Sequence, residues 1–110
     1  MTFQAKRKAP RPVAPLVLAG VRYEAPLDIH SLGYSGHGGV IAAYDDQTGA
    51  PLWHLRVYQT VYDPHMEGDV QDVYIAEIVA LDGGGALQVT HERGRRFRVD
   101  LTDRSVRPLD

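Results

Sequence analysis

The chain has no cysteine. A disulfide framework and a thiolate metal site are both excluded, and cysteine says nothing of compartment. Lysine is confined to Lys6 and Lys8, so every later cation is arginine. Aromatics are few and mostly tyrosine: six Tyr, two Phe and one Trp. No run of about eighteen apolar residues occurs, so no segment reads as a membrane-spanning helix. A secretory leader is poorly formed. Lys6-Arg7-Lys8 would be its basic start and Val13 to Ala19 its apolar stretch, but that stretch is short and contains Pro15. The expectation is a soluble, cytoplasmic protein.

What is present fits one small domain. The chain has 110 residues, and its apolar fraction of 44% is that of an ordinary globular core. The net charge of −2 hides a segregation. Residues 1–15 carry Lys6, Arg7, Lys8 and Arg11 and no acid. Residues 16–92 carry eleven acids against Arg22 and Arg56. Six arginines then follow between 93 and 107: Arg93, Arg95, Arg96, Arg98, Arg104 and Arg107. Either the last strands neutralise the acidic body, or two faces of opposite sign await a charged partner.

Turn chemistry organises the chain. Pro10, Pro12 and Pro15 among basic residues make 1–15 a disordered arm, leaving 16–110 as a single β domain. Leu16 to Ala19 and Val21 to Tyr23 read as one strand, broken or bulged at Gly20. Leu27-Asp28-Ile29 reads as a short extended piece. Val40 to Tyr44, a turn at Asp45 to Gly49, and Leu52 to Tyr58 form a hairpin, with Gly49 at positive φ. Gln59 to Tyr62 would prolong its second strand. Val70 to Leu81 is ambiguous. Its β-branched content favours a long strand, while Val70, Val73, Tyr74, Ile78 and Leu81 also fit a helical face. Ala86 to Thr90 and Arg96 to Leu101 form a second hairpin around Gly94, and Ser105 to Arg107 adds a terminal strand. The expected fold is all-β: six to eight antiparallel strands in a sandwich or partly open barrel, the alternative being α+β with a helix at 70–81. Gly38-Gly39 before one hairpin and Gly84-Gly85 before the other hint at an internal duplication.

Ala43-Tyr44-Asp45-Asp46-Gln47-Thr48-Gly49-Ala50-Pro51-Leu52-Trp53 resembles the repeat of quinoprotein-type β-propellers. There the Asp and Thr-Gly shape the turn and the Trp packs between blades. The resemblance implies that hairpin geometry here, and a packing role for a largely buried Trp53. It covers eleven residues of 110, and the second hairpin has neither the Thr-Gly nor the Trp. A propeller needs several four-stranded blades, and this chain has room for two at most. The cofactor is not carried over, and none is expected.

Two loops hold the chemistry-bearing residues. Gly33-Tyr34-Ser35-Gly36-His37-Gly38-Gly39 superficially matches a nucleophile elbow, but His37 stands where that motif has Gly. It is no phosphate cradle either, since a strand follows it instead of a helix. It reads as an adaptable loop on a rigid sheet. Asp63, His65, Glu67 and Asp69 alternate, with Gly68 sixth, like the front half of a Ca²⁺ loop. Tyr74 stands where the bidentate Glu belongs, and the flanks read as strands. A Zn²⁺ or Mn²⁺ site on His65 and two carboxylates is chemically allowed. Of the five histidines, His54 and His91 fall on strands, and no two sit at a clip spacing with His30, His37 or His65. Arg93-Gly94-Arg95-Arg96-Phe97-Arg98 is the strongest basic patch, but an acidic body disfavours nucleic acid.

No nucleophile has a visible activator and no acid/base pair stands out. The expectation is a non-catalytic binding or accessory module, of a small bacterial type, that meets a protein partner. Its binding residues would be His37, His65, Glu67 and Asp69, on the loops at 31–39 and 63–72. The alternatives are a metal-binding protein with Asp63, His65, Glu67 and Asp69 as ligands, and a small enzyme of undefined class. Both loops lead into or out of strands of one sheet region, which would place them at one end of the fold.

Overall fold

The computed structural model describes residues 11–66 and 71–109. Among the described residues, eight antiparallel strands form two four-stranded sheets. The first holds β1 (Leu16–Leu18), β2 (Val21–Glu24), β3 (Val40–Asp45) and β4 (Pro51–Arg56). The second holds β5 (Ile75–Leu81), β6 (Ala86–His91), β7 (Arg96–Asp100) and β8 (Val106–Pro108). Within each sheet the spatial order follows the chain, so both are simple meanders. The packing is sandwich-like, with Tyr23, Ile41, Ala43, Ile78, Leu87, Val89 and Val99 in the shared core.

Several expected boundaries shift, each for a local reason. Leu16 to Tyr23 is a hairpin and not one bulged strand, because Ala19 and Gly20 both take positive φ, 50° and 78°. Two successive left-handed residues reverse the chain and match the twist of the strands they join. Leu27 to Ile29 forms no strand and leads into a 3₁₀ turn at His30–Leu32. β4 ends at Arg56, so Gln59 to Tyr62 does not extend it. Of the long strand expected at 70–81, residues 75–81 are strand and not helix, 71–74 lie outside it, and residue 70 is outside the described residues. Trp53 is half-buried. Val13, on the proline-rich approach to β1, is half-buried against the core.

The Asp45 turn forms as its composition dictates. Asp45 Oδ1 accepts from the N–H groups of Gln47 and Thr48, and Gly49 N–H donates to Asp45 O at 2.8 Å. Gly49 has φ 76° with open space around it. Gly49→Val should therefore cost only backbone strain, roughly 1–3 kcal/mol. An unchanged thermal midpoint would reject that assignment.

The two sheets share one pattern of turn hydrogen bonds and register. Asp45 N–H donates to Ala50 O at 2.9 Å, and Asp100 N–H to Ser105 O at 2.9 Å. Gly49 N–H donates to Asp45 O, and Arg104 N–H to Asp100 O, both at 2.8 Å. Asp46 N–H reaches Gly20 O, and Leu101 N–H reaches Gly85 O. Val21 pairs with Asp45 as Ala86 pairs with Asp100. So β3–β4 corresponds to β7–β8. The glycine pair Gly84-Gly85 precedes β6–β7 instead, so the glycine pairs do not mark the correspondence. Arg104, at φ 62°, occupies the place of Gly49.

This correspondence fixes how the sheets pack. Tyr23, Ala43 and Trp53 form a cross-strand row that faces the core. Their counterparts are Gln88, Arg98 and Arg107, a polar row outside it. The core-facing row of the second sheet is Leu87, Val99 and Val106, whose counterparts are Arg22, Tyr44 and Pro51. Opposite faces of the repeat meet, so the sheets stack head to tail. β1 and β5 run close together, and the Arg104 guanidinium lies 4.8 Å over the Trp53 ring. Trp53 thus packs between the two units.

Candidate functional site

The outer face of the first sheet carries the loop at 25–39. Tyr34 Oη lies 2.6 Å from His54 Nδ1, and the two rings meet edge to face. The Arg56 guanidinium covers the Tyr34 ring at 5.2 Å and donates from Nη2 to Ser35 O. His54 and Arg56 pair across the ladder with Ala42 and Val40. The loop is therefore pinned to β4 over two buried residues of β3. Within it, His30 Nε2 lies 2.7 Å from Gly36 O, and the His30 and His37 rings stand 5.0 Å apart.

The segment after β4 meets this loop at Tyr62. The Gly36 Cα carries no Cβ, and a Cβ there would lie 3.5 Å from the Tyr62 ring. His37 N–H donates to Tyr62 Oη at 3.3 Å, and Tyr62 O–H donates to Asp72 Oδ1 at 2.5 Å. Burial, reinforced by the Asp72 bond, pushes the Tyr62 phenol up to about 12. It stays protonated at neutral pH and its proton is committed to Asp72. Gln71 ties down the following turn: its Nε2 donates to the carbonyls of Asp63 and Met66, and its Oε1 accepts from Asp63 N–H. Tyr58 O–H donates to Val73 O at 2.6 Å, and burial raises its phenol as well.

Between loop and segment lies a recess of about 220 Å³ lined by Ser35, His37, Arg56, Gln59, Thr60 and Tyr62. Arg56 Nε and Thr60 Oγ1 are buried beside it without a hydrogen-bond partner among the described residues. A second recess, about 390 Å³, shares Gln59 and Thr60 and continues over Tyr58, Val61, His91, Arg93, Arg95 and Phe97. A third, about 400 Å³ and mostly apolar, lies where Glu24 to Leu27, Gly38 to Val40 and Ile75 converge. Its one acid, Glu24, is held by Arg22.

The expected site residues divide accordingly. His37 joins the 59–66 segment through Tyr62, and His65 is exposed on the Asp63 turn. Asp63 spends Oδ1 on His65 N–H, at 2.9 Å. Glu67 and Asp69 lie outside the described residues. Among the described residues no three His, Asp or Glu side chains are grouped to hold a metal. Sequence reasoning missed Tyr34, Arg56, Thr60, Tyr62 and Asp72. One signal was legible: Gln71-Asp72 is a polar pair inside an apolar stretch, and buried polar groups must find partners.

No family model matches this chain, and no curated protein matches it. No helix among the described residues is long and apolar enough to cross a membrane.

Proposed function

We propose that the protein is a non-catalytic binding module that engages a protein partner through the face built by the 31–39 loop and the 59–66 segment. The observation that carries this is their meeting at Tyr62. A glycine-rich loop pinned to β4 and an exposed polar turn held by Gln71 join there. Loops on a rigid scaffold are where recognition concentrates. The recess between them offers polar groups and one histidine, His37, rather than a poised proton-transfer pair, and the Tyr62 proton is spent on Asp72. His37 and His65 are the described contact residues, with Glu67 and Asp69 proposed beside them.

The test is capture of a partner by the tagged full chain, compared with a His37→Asp/His65→Asp double variant. Both side chains are exposed, so the fold should survive. Loss of a specific partner with an unchanged thermal midpoint is the expected result. Equal capture by both forms would reject the face. A midpoint raised by Ca²⁺, Mn²⁺ or Zn²⁺ would favour the metal-binding reading instead, and Asp69→Ala should then abolish the shift.

A further inference from the structure

The second recess has a chemistry of its own. Its floor is aromatic. Tyr58 and Phe97 stack at 5.4 Å with 14° between their planes, and His91 meets both rings. Its cations are Arg93 and Arg95, with the Arg95 guanidinium 5.7 Å from the Phe97 ring centre. On the rim stands Val61, 91% exposed, although it is β-branched and wholly apolar.

Among the described residues these two arginines lack the carboxylate partners that Arg22 and Arg98 have. Arg22 is matched by Glu24 and Asp46, and Arg98 by Asp82 and Asp100. Arg93 and Arg95 form no ion pair among the described residues. The nearest acid in sequence, Glu92, accepts from Tyr74 N–H at 3.0 Å. Burial, and then the two arginines, lower the affinity of His91 for a proton, so the ring adds little charge of its own at neutral pH. The result is a cationic groove with an aromatic floor and an apolar lip, on a body whose residues 16–92 are strongly acidic.

We propose that this groove binds an acidic segment of the protein partner, one that places carboxylates at Arg93 and Arg95 and an apolar side chain against Val61 and the Tyr58–Phe97 pair. This deepens the function proposed above and rests on it, since Gln59 and Thr60 line both recesses and one partner would cross both. Carboxylates suit guanidinium groups that form no ion pair among the described residues, and opposed charge sets both encounter rate and register. A nucleic acid would need exposed bases' worth of stacking surface, whereas here the ring faces are turned on one another.

The probe is a fluorescein-labelled ten-residue peptide of alternating glutamate and leucine, titrated with the full chain. Its controls are the same peptide with glutamine for glutamate, and a ten-nucleotide oligothymidylate. The acidic peptide should bind, and added salt should weaken it. Arg93→Glu/Arg95→Glu and, separately, Val61→Asp should each lower its affinity by about tenfold or more with the thermal midpoint unchanged. No binding of the acidic peptide, indifference to either variant, or equal binding of the glutamine peptide or the oligonucleotide would overturn the proposal. Failure here is separable from failure of the face itself. Partner capture that depends on His37 and His65 but not on Arg93 and Arg95 rejects only the acidic-segment inference.

Discussion

Gly39→Ala should be among the most damaging single substitutions in the chain, although it adds one methyl group. Gly39 is buried at φ 80°, immediately before β3. A Cβ there would be driven into the carbonyl oxygen of Tyr58 and to 3.3 Å from the Tyr58 ring. The clash is with backbone, so no side-chain rotation relieves it. The same carbonyl-to-backbone junction is structural: Gly39 O accepts from Val57 N–H at 2.6 Å. Left-handed backbone costs an L-residue about 1–2 kcal/mol, and forced displacement of packed chain about 1–3 more. Together these approach half of a typical stability of about 5–15 kcal/mol. For a domain of this size the midpoint should fall by roughly 10–25 °C. Thermal unfolding followed by Trp53 fluorescence reads it directly. Gly49→Ala is the control, since Gly49 has a similar φ and nothing within 4 Å of its added Cβ. Equal losses at the two glycines would show that conformation alone, and not the close approach, governs Gly39.

The contrast between those glycines shows what the sequence could and could not disclose. The Gly49 turn was legible because its chemistry is local: Asp45, Thr48 and Gly49 act within five residues. Gly39 read only as part of a flexible loop, because the atom that makes it indispensable belongs to Tyr58. The Ala19-Gly20 hairpin was missed because an alanine at φ 50° carries no signature. Ile75 and Ile78 stand three apart in one strand, yet both are buried in the core. The ladder shifts between Ile75 and Glu77, and that bulge puts residues three apart on one face. The correspondence was hidden at Arg104, which takes a backbone conformation that sequence assigns to glycine. The candidate site was legible as two loops and not as a recess. Its shape depends on Tyr62 reaching His37 across twenty-five residues and Asp72 across ten.

Leu87→Ala should cost about 2–5 kcal/mol, the range for truncating a buried leucine, while Arg22→Ala should leave the unfolding midpoint nearly unmoved. The comparison has force because the two residues occupy the same place in the repeat. Val21 aligns with Ala86 by register against Asp45 and Asp100, so Arg22 aligns with Leu87. Leu87 is fully buried between the sheets, in the row with Val99 and Val106. Arg22 lies on the opposite side of its own sheet, where it meets Glu24, Asp46 and the ring of Tyr44. Exposed ion pairs of that kind contribute little to stability. Had the two sheets packed about a twofold axis, equivalent positions would face each other and would tolerate truncation equally. Head-to-tail stacking breaks that equivalence: each sheet presents one apolar face, and the two apolar faces are different faces of the shared pattern. The sequence carries this as opposite polarity at matched positions, leucine against arginine and Ala43 against Arg98. Urea unfolding of the two single variants decides the matter. Similar losses for Leu87→Ala and Arg22→Ala would reject head-to-tail stacking. A large loss at Leu87 alone would require the outer face of the first sheet to be a surface, open to the loop that lies over it and to whatever that loop binds.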